Sequence, residues 1–179
     1  MENQYQKKKD SNATKEIILD TAIDIGAADW SSLTYQHLAD KSGISKGGIM
    51  HHYKNKDELL NAIVEQSLIK MKEWILIYQK QNKLEDMGMA YLHAVLETDK
   101  DERYLRTMRI IMQAVLLKTE YLDRWNNWYK ENVIQEAGKF RTKSLIATLI
   151  ADGIWYSETF GLSIISREDK TEIVKYLNS

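Results

Sequence analysis

The 179-residue chain has no cysteine, no proline and only eight glycines, and its 25 Lys and Arg are balanced by 26 Asp and Glu. Without cysteine there is no disulfide framework, thiol nucleophile or Cys-ligated zinc, and the composition is the one expected of a reducing cytoplasm. Without proline the strongest helix breaker is missing, and with few glycines left-handed turns must be few; both favour long helices. Long apolar runs are also lacking. The best candidate, Leu145 to Leu149, is soon followed by Asp152 and Glu158, far short of the roughly 18 apolar residues that suggest a membrane span. The polar N-terminus with Lys7, Lys8 and Lys9 runs into no apolar segment, so no secretory signal and no membrane partner are expected. Bulk charge does not decide for or against nucleic acid, because the first 56 residues hold eight Lys and seven acidic residues. Any DNA contact must rest on local placement.

What is present is a 44% apolar composition, enough for a real core. Apolar residues recur at helical spacing in Ile17, Ile18, Ala22 and Ile25, predicting a first helix over about 13–27. A polar connection at 29–33 leads to Thr34, a good N-cap, and a short helix carrying Leu38 and Ala39 that Gly43 stops. Ser45 caps the next short helix. Asn55 begins a longer one, with a stripe of Leu59, Leu60, Ile63, Val64, Leu68 and Met71, running to about Lys80. Further helices are predicted over 84–97, 104–117, 120–137 with Gly138 as its C-cap, 143–160 and 168–177. With no alternating strand pattern and no internal repeat, the expected fold is all-α with about nine helices. The 143–160 helix is apolar on more than one face, which predicts burial on two sides, either centrally in a monomer or between subunits.

The informative stretch is Thr34 to Lys56, TYQHLADKSGISKGGIMHHYKNK. It reads as helix, tight turn, helix. Ala39 allows close approach where the two helices cross, and Gly43 supplies the left-handed residue that redirects the chain. Leu38, Ile44 and Ile49 would then fix the second helix, leaving Lys46, Gly47, Met50 and His51 to project into a major groove. Gly47 and Gly48 together weaken a helix by up to about 1 kcal/mol each relative to alanine; close approach to DNA, or a frayed helix end that DNA orders, explains the pair.

The run from Thr14 to Leu60, with IILDTAIDIG, LTYQHLADKSGISKGGIMHHYKNKDELL, resembles the DNA-binding domain of TetR-family transcriptional regulators. The Gly-Ile-Ser turn, the Ile-Met-His-His-Tyr segment and the Lys-x-Lys-Asp-Glu-Leu-Leu entry to the fourth helix all match that pattern. More loosely, ADGIW at 151–155 resembles the family's penultimate, dimer-forming helix. The resemblance implies a homodimer that reads a near-palindromic operator in double-stranded DNA, and a C-terminal domain that binds a small hydrophobic or amphipathic effector and thereby changes the spacing of the reading heads. The expected division is a helix-turn-helix domain over 1–56, its first ten or so residues flexible, and an effector-binding and dimerisation domain over 57–179. On this resemblance Thr34 places a helix N-terminus against phosphate, Tyr35 and Gln36 lie at the groove edge, and Ser45, Lys46, Gly47 and Gly48 belong to the reading helix. Met50, His51, His52 and Tyr53 match positions that contact phosphate or support that helix, and Lys56 binds backbone phosphate. Met50 departs from the family's usual tyrosine, which removes a polar contact.

Aromatics and methionines around a few polar groups are what a cavity for a hydrophobic ligand needs, although each is also an ordinary core residue. The effector candidates are Trp74, Tyr78, Tyr91, His93, Met108, Arg109, Met112, Gln113, Trp125, Trp128, Tyr129 and Trp155. For dimerisation, Ala147, Ile150, Ala151, Ile154 and Ser157 recur at spacings of three and four, and Ile173, Val174 and Leu177 of the last helix would complete a four-helix contact. Adjacent His51 and His52 point about 100° apart on a helix and do not suggest a metal site. No phosphate loop, nucleophile elbow or zinc motif is present in the sequence, so neither catalysis nor a cofactor is expected. The reading is a DNA-binding regulator, a repressor released by its effector. The alternative is a helix-turn-helix regulator without an effector pocket, whose C-terminal part only dimerises or binds a protein partner.

Overall fold

The computed structural model describes residues 2–97, 101–134, 141–162 and 165–178, with side chains from Ser11 onward. Among the described residues there are nine α-helices and no strand: α1 Glu2–Gly26, α2 Tyr35–Ser42, α3 Lys46–His52, α4 Lys56–Gln81, α5 Met87–Glu97, α6 Glu102–Leu117, α7 Thr119–Asn132, α8 Arg141–Thr159 and α9 Arg167–Asn178. The fold is all-α, as the sequence predicts. Two elements differ from expectation. The backbone of α1 is helical from Glu2, about ten residues earlier than the apolar stripe indicates, because Glu, Gln and Lys are good helix formers even without an apolar face. The connection before α2 contains a single 3-10 turn, Trp30–Ser32, capped by the Asp29 side chain. Gly138, the expected C-cap of α7, lies outside the described residues.

The chain forms two compact units. The first comprises residues 1–66 and 101–114, the second residues 67–100 and 115–179. Helices α4 and α6 therefore each contribute residues to both. In the first unit Ile18, Leu19, Ala22 and Ile23 of α1, Leu38 of α2, Ile49 of α3, Leu59, Leu60 and Ile63 of α4, and Ile110 and Ile111 of α6 are buried. Arg103 and Arg106 of α6 reach Asp20 and Asp24 of α1, and Gln113 receives the Trp30 amide at 3.0 Å while donating to the Ala27 carbonyl at 3.3 Å. These polar ties close the corner after α1.

The second unit is built on α5, in which every residue from Gly88 to Leu96 is buried. A helix apolar all round belongs in the middle of a core. Its main neighbour is α8, and Gly88 is what lets them meet: a Cβ there would lie 2.4 Å from both the Ser144 carbonyl oxygen and the Ser144 Oγ. The Gly88 amide donates to that Oγ at 3.2 Å. Among the described residues α5 is the helix enclosed within the chain, whereas α8 buries one face there and leaves the other exposed. On α8, Ala147, Ala151, Ile154 and Trp155 turn inward, whereas Leu145, Ile146, Leu149 and Tyr156 are exposed, followed by exposed Phe160.

Gly88→Ala is expected to lower stability by about 1–3 kcal/mol through overpacking against Ser144. Gly153→Ala in α8, with nothing within 4 Å of its Cβ position, is expected to be neutral or to stabilise by up to about 1 kcal/mol. Urea denaturation followed by circular dichroism reads both; equal losses would contradict the close approach.

Candidate functional site

Helices α2 and α3 have eight and seven residues, too short to persist alone, so their ends carry the geometry. Thr34 caps α2, its hydroxyl accepting from the His37 amide at 3.1 Å. Gly43 ends it at φ 71°, with its amide returned to the Ala39 carbonyl, the left-handed cap that glycine adopts without strain. Ser45 caps α3 by accepting from the Gly48 amide at 3.1 Å. A Cβ on Gly48 would lie 3.1 Å from Ile44 and 3.2 Å from that capping oxygen, whereas Gly47 faces open space. The two adjacent glycines thus have different reasons, cap clearance for Gly48 and an unobstructed outer surface for Gly47.

The pair is tied at its far end by Tyr35, whose hydroxyl donates to the Tyr53 carbonyl at 2.7 Å; burial raises the phenol's pKa. Buried Tyr53 ends α3. Lys56 Nζ donates to the Trp30 carbonyl at 2.8 Å and the Ser31 carbonyl at 3.2 Å, and lies 5.8 Å from the centre of the Trp30 ring. Burial lowers the Lys56 pKa, against the opposing pull of Asp29 and Asp57. Asn55 accepts from the Glu58 amide while Glu58 accepts from the Lys54 amide, so α4 starts at a fixed point.

A second constellation lies in the other unit. Asp152 of α8 accepts from Tyr91 of α5 at 2.9 Å on Oδ1 and from Tyr129 of α7 at 2.6 Å on Oδ2. Burial raises the carboxyl pKa, and the two phenols act in the opposite direction. Burial, the hydrogen bond to Asp152 and its charge push the Tyr129 phenol upward, so it stays protonated and donates. Around them the rings of Tyr91 and Tyr129 meet edge to face at 6.0 Å, and Trp128, Trp125, Trp155 and Tyr156 follow one another at 6.0, 5.7 and 5.0 Å between centres.

Two family models match the chain: "Bacterial regulatory proteins, tetR family" over residues 18–63, and "Tetracyclin repressor-like, C-terminal domain" over residues 89–179. The chain belongs to the TetR family of transcriptional regulators. Among curated relatives it is similar to the transcriptional regulator AcrR of Shigella flexneri, 27% identical over 119 residues covering 64% of this chain and 54% of that protein. It is also similar to the transposon Tn10 TetC protein of Escherichia coli, 24% identical over 106 residues covering 56% and 54%. The chain thus spans about half the length of these curated relatives. Solved structures with the same fold include a TetR-family member from Streptomyces coelicolor, with TM-score 0.65, 14% identity and coverage of 92% of this chain and 97% of that one. Another is NalD, the secondary repressor of a multidrug efflux pump in Pseudomonas aeruginosa, with TM-score 0.66, 18% identity and coverage of 95% and 96%.

In this TetR-family regulator Thr34, Gln36, Ser45, Lys46, Gly47, Met50 and His51 are exposed on the helix pair, and His52 is half-buried, its pKa lowered mainly by burial. Three residues read from the resemblance as contacts are engaged internally. Tyr35 spends its proton on Tyr53, the Tyr53 ring is in the core, and the Lys56 ammonium holds the 3-10 turn; the sequence could not reveal these partners because each is 18 or more positions away. Among the described residues, the ammonium of exposed Lys54, two positions earlier, makes no such tie.

Of the effector candidates, the second unit brings together Tyr91, Trp125, Trp128, Tyr129 and Trp155. Met108, Arg109, Met112 and Gln113 belong to the first unit, where Met108 is buried, Arg109 is exposed and Gln113 closes the corner after α1. Trp74 packs under Lys70, 5.0 Å from its Nζ, and Tyr78 is half-buried on α4. His93 pairs with Glu97 one turn on and borders an open groove of about 920 Å³ lined also by Arg167 and Lys170 of the α9 region. Of the dimer candidates, Ala147, Ala151 and Ile154 are buried within their own chain, while Ile150, Ser157, Ile173, Val174 and Leu177 are half-buried; spacing alone cannot say which of two apolar faces turns inward. Asp152 was missed as a site residue. The signal was there as a single acid inside the otherwise apolar run LIADGIW.

Tyr35→Phe and Lys56→Met are each expected to lower thermal stability, by about 1 kcal/mol for the lost phenol bond and about 1–2 kcal/mol for the charge-assisted ones. Lys54→Met should leave the melting temperature unchanged. A Lys56→Met protein as stable as the parent would return that ammonium to the solvent and to the phosphate role.

Proposed function

We propose that the chain acts as a homodimeric repressor that reads a near-palindromic operator through α3 and leaves it when a small hydrophobic effector binds in the C-terminal domain. The functional division runs at 56/57, helix-turn-helix before it and effector and dimer functions after it. The observation that carries the reading is the capped helix pair, which holds Lys46, Gly47, Met50 and His51 exposed at one end of a fixed turn. An α-helix so presented fits a major groove, where lysine reaches guanine O6 and N7. Thr34 and Ser45, with the amide groups behind them, suit phosphate. Lys54 replaces Lys56 as the lysine placed for backbone phosphate. The absence of a strong net charge is compatible with this, because α3 needs only a few charges at the contact.

Dimerisation is assigned to the exposed apolar stripe of α8, Leu145, Ile146 and Leu149 with Phe160, together with Ile150, Ser157 and the half-buried Ile173, Val174 and Leu177 of α9. A patch of that kind is rarely left to solvent in a monomer, and a second copy of the same helices supplies a self-complementary surface. Ligand and operator then favour different states of the dimer, so each weakens the other by one coupling free energy.

Selection of bound DNA from a random pool tests the reading. The expected result is a site with two half-sites about one helical turn apart or a multiple of it, bound at ~10⁻⁸ M or tighter and weakening steeply with salt. Lys46→Ala should relax the selected sequence, and Lys54→Ala should weaken all sequences about equally and flatten the salt dependence. Enrichment of no sequence, or of one half-site alone, would overturn the dimeric operator reading. Leu149→Glu should give a monomer by light scattering; a dimer of unchanged affinity would remove α8 from the interface.

A further inference from the structure

We propose that Asp152, framed by Tyr91, Tyr129, Trp125, Trp155 and Tyr156, is a recognition site for a lipophilic organic cation, and that the effector belongs to that class. The inference rests on the effector reading above and adds to it the sign of the ligand's charge.

Asp152 lies in a helix whose inner face is otherwise apolar or hydroxylic, half-buried with the hydroxyls of Tyr91 and Tyr129 on its two oxygens. Removing a carboxylate from water without a countercharge is costly, and hydrogen bonds offset only part of that cost. Here the offset comes from two neutral phenols, one on each oxygen. Among the described residues no Lys, Arg or His forms an ion pair with Asp152, and no positive charge contributes to the shift of its carboxyl pKa. The cluster thus joins a carboxyl group and a run of aromatic rings and, among the described residues, holds no cation of its own. Each of these favours a positive ligand: the carboxylate by direct attraction in a medium of low polarity, the rings through their quadrupoles. An anion would meet repulsion, and a neutral ligand would leave the carboxylate as exposed to desolvation as before.

The chemistry narrows further. Both carboxylate oxygens already accept a phenolic proton, so the site does not depend on N–H donors from the ligand. A quaternary or otherwise delocalised cation, weakly hydrated and enclosed in hydrocarbon or aromatic groups, loses least on leaving water and gains most from ring faces. Tyr156, 44% exposed, and the half-buried Trp125 and Tyr129 put one side of the cluster in reach of solvent. The groove beside His93 is different in kind, since Arg167, Lys170 and Lys175 line it; it does not share the cluster's sign.

The test uses the purified full chain and three probes of like size: tetraphenylphosphonium, tetraphenylborate and neutral triphenylphosphine oxide. Calorimetry and quenching of tryptophan fluorescence read binding; an operator-bound sample reads release. Tetraphenylphosphonium is expected to bind at least ~10-fold more tightly than the other two, and Asp152→Asn to remove most of that preference. Circular dichroism melting shows whether the variant is folded. Should it unfold, Tyr156→Leu at the exposed rim is expected to reduce affinity for the phosphonium and leave that for triphenylphosphine oxide little changed. Equal binding of the three probes, cation binding insensitive to both substitutions, or no binding of the phosphonium would overturn the proposal. Release of DNA by the neutral probe, independent of Asp152, would also overturn it and leave the effector reading standing. Phosphonium binding that requires Asp152 without releasing DNA would establish the cation site and overturn effector release.

Discussion

Helix α3 is too short to form by itself. Two turns of helix cannot repay the cost of nucleation in water, and two glycines within seven residues make α3 weaker still. Its existence, and the angle at which it stands, are imposed from outside: by the Ser45 hydroxyl at one end, by Ile49 in the core, and by the Tyr35 to Tyr53 bond at the other. Each of these depends in turn on the left-handed turn at Gly43, without which α2 would not deliver the chain to Ser45. The reading surface is therefore not a stable helix decorated with contacts but a weak helix held by its frame. That arrangement leaves the outer face free for residues chosen without regard to stability, such as Gly47 and Met50, since none of them is needed to keep the helix folded.

The same division between frame and face explains why Lys56 and Lys46 differ. Both are lysines near a helix start, and motif matching treats them alike. Lys56 sits where the 3-10 turn presents the carbonyl oxygens of Trp30, which also accepts from the Leu33 amide, and of Ser31, and an ammonium can serve both while it lies over the Trp30 ring. Burial already lowers its pKa, so the protein tolerates some loss of charged stability to obtain that geometry. Lys46 has no such duty. Charge near a helix start carries two meanings, and the deciding factor is the presence of carbonyl oxygens within reach.

Fold and helix count were legible in the sequence because helical spacing, caps at Thr34 and Ser45 and the stop at Gly43 are local signals that tertiary packing did not override. The turn itself could be placed to the residue. What was not legible depended on partners remote in sequence. Apolarity on both faces of α8 was visible, but which face turns toward α5 was decided by Gly88, a single position 56 residues earlier that lets Ser144 approach. For the same reason α5 is enclosed: its small residues Gly88, Ala90 and Ala94 permit close neighbours. Aromatic composition suggested a ligand region without separating the rings that gather around Asp152 from those, such as Trp74, that do other work.

Asp152 shows how a stability cost points to chemistry. A core designed only for stability would place Asn or Leu at that position, since phenol donors to a carboxylate do not recover the hydration it loses. The protein keeps the acid and surrounds it with groups that favour its charged form, Tyr91 and Tyr129, and with rings that leave it without a countercharge. Three helices, α5, α7 and α8, meet at this one carboxylate. A cation arriving there would offset the desolvation cost that the unliganded carboxylate bears, at the point where all three helices are tied. On the proposed reading that difference between empty and occupied states is the free energy available for changing the dimer, and it is concentrated on the helix, α8, to which the contact between copies is assigned.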